Sequence, residues 1–98
     1  MKKLSDFKDD AAIDIWGKLF QIVAEMSEDE KTVEAMKSGN RVKIIACLTS
    51  EHPEIAMKIL KLFSEEGENY HCTAVSLIKD VKSLLDDKDL MAVFHSQG

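Results

Sequence analysis

"AAIDIWGKLFQIVAEM", residues 11–26, is the stretch on which the fold turns. Ala12, Trp16, Leu19, Phe20, Val23 and Met26 recur at steps of three and four, the spacing at which side chains share one face of an α-helix. Ile15 and Ile22 widen that stripe, so the helix is apolar over much of its circumference and is expected to need neighbours on more than one side. This reading makes it the central helix of an all-α domain, with Trp16 in the core rather than serving as a partner anchor. Asp9 and Asp10 stand where carboxylates favour the positive end of a helix dipole. Leu4 and Phe7, just before them, are expected to fold back as a cap on the core.

Outward from this helix the same period continues. "SEDEKTVEAMKSGN", residues 27–40, sets Ser27 and Glu30 at capping-box spacing and Gly39 as terminator, giving a short second helix that packs through Val33, Ala35 and Met36. "RVKIIACLTSEH", residues 41–52, offers Val42, Ile45, Ala46 and Leu48 as a third helix. The run from Val42 to Leu48 also suits a strand, but no partner strand is visible and a lone strand leaves its backbone groups unpaired. Pro53 fits the first position of a fourth helix, "PEIAMKILKLFSEEG", with Ile55, Ile59, Leu62 and Phe63 on one face, Ala56 and Leu60 beside them, and an end at Gly67. A fifth helix begins near Thr73, its stripe formed by Ala74, Ile78, Val81 and Leu85 and broadened by Leu77 and Leu84. Asp86, Asp87 and Asp89 mark the junction to a last short helix, "DLMAVF", before a polar tail, "HSQG", that is expected to fray. The expected fold is therefore a compact orthogonal bundle of five to six short helices, one domain over residues 1–98, with Trp16, Leu19, Phe20, Ile59, Phe63, Ile78 and Val81 in one core.

Composition agrees. A chain of 98 residues suits one domain, and folding at this size removes roughly 65% of the unfolded surface from water, enough for stability without disulfides or metal. Hydrophobic residues at 45% and charged residues at 32%, with one Pro and four Gly, exclude a disordered or loop-rich chain. The net charge of −5 and a single arginine, Arg41, argue against nucleic acid, whose recognition needs clustered cations and the arginine fork. No stretch reaches the ~18 apolar residues of a membrane span, and the N-terminus lacks the apolar core of a signal peptide. Two cysteines beside apolar positions, Cys47 and Cys72, read as buried free thiols in a reducing, intracellular setting.

One triplet invites a chemical reading: Tyr70, His71 and Cys72 stand together immediately before the fifth helix. The only zinc set available, Cys47, His52, His71 and Cys72, has two adjacent residues where zinc sites use short spaced pairs. A Cys72 nucleophile would have His71 beside it but neither a Gly-rich oxyanion loop nor a third orienting group. Helix start is the better reading: Tyr70 packs over the first turn, Cys72 fills a small buried site, and Thr73 or its neighbour caps. The acidic runs lack the D-x-D-x-D-G pattern of a calcium loop. No catalytic, cofactor-binding or metal-ligating residue is assigned.

The opening "MKKLSDFKDDAAIDIWGKLFQIVAEM", with "HPEIAMKILKLFSEEG" and "VSLIKDVKSLLDDKDLMAVF", resembles small acidic helical proteins of tailed phages and prophages of Gram-positive bacteria, of the kind regarded as tail assembly chaperones. The resemblance covers most of the chain in layout and implies a protein without catalysis or cofactor. Such a protein binds the tape measure protein in the host bacterial cytoplasm and keeps it soluble while the tail tube polymerises. A rival reading is an acidic helical adaptor or regulator of one compact protein partner. For either, the expected binding surface is Ile59, Leu62 and Leu85 of the fourth and fifth helices, together with Leu90, Met91 and Phe94 of the last. That last segment either covers the groove or donates itself to a neighbouring subunit, which would make the chain a homo-oligomer.

Overall fold

The computed structural model describes residues 1–96 and contains six α-helices: α1 (Asp10–Met26), α2 (Glu30–Ser38), α3 (Arg41–Ser50), α4 (Pro53–Phe63), α5 (Ala74–Leu85) and α6 (Lys88–His95). Short 3-10 turns precede α1 (Leu4–Asp6) and α5 (Gly67–Asn69), and among the described residues there is no strand. The Cα radius of gyration, 12.6 Å, is that of a compact domain of this length. The polar tail falls partly outside this description: His95 ends α6 and Ser96 follows it as the capping residue, whereas Gln97 and Gly98 lie beyond the described residues.

Capping chemistry sets most of the boundaries. Asp29, not Ser27, starts α2: its carboxylate accepts the Lys31 N–H, while the Ser27 hydroxyl bonds back to the Ala24 carbonyl at the end of α1. Gly39 ends α2 at φ 66°, the left-handed conformation that glycine adopts without a Cβ clash. Asn40 caps α3, Pro53 opens α4, and Thr73 forms a reciprocal capping box with Ser76 at α5. α4 stops at Phe63, four residues short of the expected Gly67, because Ser64 turns to extended backbone.

The interior is built around α4, which buries Ile55, Ala56, Ile59, Leu60 and Phe63 and packs against α1, α3 and α5. The expectation of a central α1 is therefore corrected. Its chief neighbour is α4, so only the row Ile15, Leu19, Ile22 and Met26 is buried. Leu19, Ile59, Phe63 and Val81 are core as expected; Trp16, Phe20 and Ile78 are not, each remaining exposed because it lies off the buried row of its helix. In α3 the buried face is Ile44, Cys47 and Leu48, with Val42 exposed and Ile45 half-buried. The N-terminal segment does fold back: Leu4 is buried and the Phe7 ring meets Phe63 edge-on at 5.8 Å.

Candidate functional site

Because α1 is covered on one side only, its opposite flank presents large apolar side chains to solvent. Ile13, Trp16 and Phe20 lie within one arc of the helix and are 74%, 36% and 57% exposed. Trp16 and Phe20 stack at a centroid distance of 5.2 Å with 24° between their planes, forming one aromatic wall. Beside it runs an open groove of about 760 Å³, bounded on the α1 side by Trp16, Phe20 and Val23 and on the α6 side by Asp89, Ala92 and Val93, with Leu4 contributing to its lining. Ser5, Ser96 and Asp89 are its polar positions, and Asp89 is the one charged residue in the lining.

A single buried carboxylate ties the α6 side of this groove to the N-terminal turn that carries Leu4. Asp87 precedes α6 as its N-cap, accepting the Asp89 N–H at 3.1 Å, and it also accepts the Leu4 N–H at 2.7 Å across 83 residues of sequence. Both α6 and the N-terminal turn are fixed by this residue, which has only 6% of its surface exposed. The sequence marked Asp87 only as part of the junction before the last helix; in the folded chain it is buried and bonded to the N-terminal turn at Leu4.

The six residues expected to form the binding surface lie elsewhere. Ile59, Leu85, Leu90 and Phe94 are interior, and Leu62 and Met91 are half-buried. Ile59, Leu85 and Phe94 border one void of about 10 Å³, at the limit for a single water molecule, so the space between α4 and α5 is filled by α6 of the same chain. In this arrangement those four side chains are core, whereas Trp16 and Phe20, which the sequence reading had placed in the core, carry the exposed wall.

Tyr70, His71 and Cys72 diverge at the start of α5. The Tyr70 ring is buried and its hydroxyl donates to Asp80 at 2.6 Å; burial, then the Asp80 carboxylate and Cys72, push its pKa up. His71 is exposed, Cys72 is half-buried, and Cys47 lies apart in the interior, 3.4 Å from the Thr32 hydroxyl. His52 bonds Asp29 at 2.7 Å and stands 3.5 Å from Glu54, tying the start of α4 to the start of α2. The Asp29 bond raises the imidazole pKa against a smaller opposing effect of burial, and Glu54 adds to the rise. His52 and then Thr32 hold the Asp29 carboxyl below its usual range. Among the described residues no group of three or more His, Cys, Asp or Glu side chains is placed to hold a metal ion, and no helix is long and apolar enough to cross a membrane.

The exposed wall carried no distinguishing signal in the sequence: Ile13, Trp16, Phe20 and Val23 repeat at steps of three, four and three, as regular as Ile15, Leu19, Ile22 and Met26 at four, three and four. Comparison with protein-family models, with curated proteins and with solved structures gives no match.

Proposed function

We propose that this chain is a non-enzymatic protein-binding domain that acts as a phage tail assembly chaperone, holding the tape measure protein soluble in the host cytoplasm during virion morphogenesis. The observation that carries this reading is the stacked Trp16–Phe20 wall beside an open apolar groove, on a molecule of net charge −5. Contiguous exposed apolar surface on a small domain marks an interaction site, and large aromatics are the side chains that most often anchor one. A surrounding negative charge keeps such a binder and its complexes dispersed. The resemblance in layout to tail assembly chaperones supplies the identity of the client.

The test is co-expression with fragments of the tape measure protein from the same phage or prophage. Soluble complexes of defined mass by light scattering are expected. Fragments that precipitate equally with and without this chain would refute the reading.

A further inference from the structure

Resting on that reading, we infer that the groove between α1 and α6 takes one cationic amphipathic helix of a partner protein, its apolar side chains against the Trp16–Phe20 wall and a lysine or arginine directed to Asp89. Size, shape and charge point to this occupant. The large apolar side chains exposed along α1 offer roughly 300 Å² of surface, well short of the ~800 Å² per partner that a standard protein interface buries. From Ile13 to Val23 the wall runs about 15 Å, the length of about three helical turns, which a partner helix matches with anchors at i, i+3 or i+4, and i+7.

Charge argues against a second copy of this chain as the occupant: each copy carries a net charge of −5, and Asp89, the one charged residue in the lining, finds no cation among the lining residues of a second copy. A cationic helix meets no such repulsion and finds a carboxylate in the lining and two exposed aromatic rings, both attractive to ammonium or guanidinium groups.

The experiment uses the full chain, isotopically labelled, with two synthetic amphipathic peptides of about four turns. They share one Leu/Ala face and carry Lys or Glu on the other. The Lys peptide is expected to shift amide resonances of α1 and α6 around Trp16, Phe20 and Ala92 and to change Trp16 emission, with affinity falling as salt is raised. The Glu peptide should bind at least about tenfold more weakly. Phe20→Ser should weaken Lys-peptide binding by about tenfold or more with the circular dichroism spectrum unchanged, and Asp89→Asn should reduce the preference for Lys over Glu. Equal binding of both peptides, or shifts confined to other helices, would overturn the inference. So would a dimer mass abolished by Phe20→Ser, or Trp16 emission that responds to lipid vesicles and not to the peptide. The two readings separate cleanly: a tape measure fragment bound equally well by the Phe20→Ser variant rejects the groove and keeps the chaperone, whereas peptide binding without any client binding does the reverse.

Discussion

Phe20 and Phe94 have the same side chain and opposite circumstances. Phe94 is 1% exposed and packs beside Ile59, Val81 and Leu85, so Phe94→Ala removes buried surface and leaves a cavity; a loss of about 3–5 kcal/mol in chemical denaturation is expected. Phe20 is more exposed than buried, and Phe20→Ala should cost less than ~1 kcal/mol in the same measurement. A larger loss would mean that the aromatic wall is structural. Tyr70 is intermediate: Tyr70→Phe keeps the ring and deletes the hydrogen bond to half-buried Asp80, and about 1 kcal/mol of destabilisation is expected. None of these contrasts follows from residue type. Each is set by which neighbour arrives.

At the level of elements, the junctions carry more than the helix interiors. Gly39 closes α2 at positive φ with open space around the position of a Cβ, so Gly39→Ala should cost about 1–2 kcal/mol from backbone strain alone. The Asp29–His52 bond joins the starts of α2 and α4 and makes their docking pH-dependent. Folding favours protonated His52, so its contribution is complete below the ordinary imidazole value of 6.5 and is lost as pH rises through the raised folded value. Asp29 behaves oppositely: its contribution is complete above the ordinary value of 3.8 and is lost as pH falls through the lowered one. The pair therefore stabilises most between these values. Thermal midpoints should fall as pH is raised from about 6 to 8, and His52→Gln should flatten that slope.

For the whole molecule, the decisive feature is how the ends of the chain meet. Asp87 holds Leu4 to α6, and α6 in turn fills the space between α4 and α5 with Phe94. Removing residues 88–98 would uncover Ile59 and Leu85 and deprive the groove of its α6 wall. The truncated protein is expected to self-associate by light scattering and to lose the Lys-peptide response. A monomer that retains that response would show that α6 is dispensable for binding. Asp87→Ala should act similarly but more weakly, leaving the Leu4 N–H without its partner and α6 uncapped.

How much of this could be read in advance depended on the range of the interactions involved. Helix number and most helix starts were legible because they rest on contacts within four residues: Pro53 at a first position, Thr73 as a cap, Gly39 at positive φ, and the three-and-four step of apolar residues. Where several residues offered the same local signal, the choice fell to the fold, as with Asp29 taking the cap expected of Ser27. The flank of α1 that faces inward was not legible. Its apolar residues almost encircle the helix, and two overlapping rows, one through Leu19 and one through Phe20, satisfy the same periodicity. The tertiary structure chose between them because α4 can cover only one side, and the side it left open is the candidate site. By itself the sequence determined an acidic chain of five to six helices; the packing of α4 and α6 decided that Phe94 lies inside and that Trp16 and Phe20 face solvent, since burial is settled by neighbours distant in sequence rather than by the pattern along one helix.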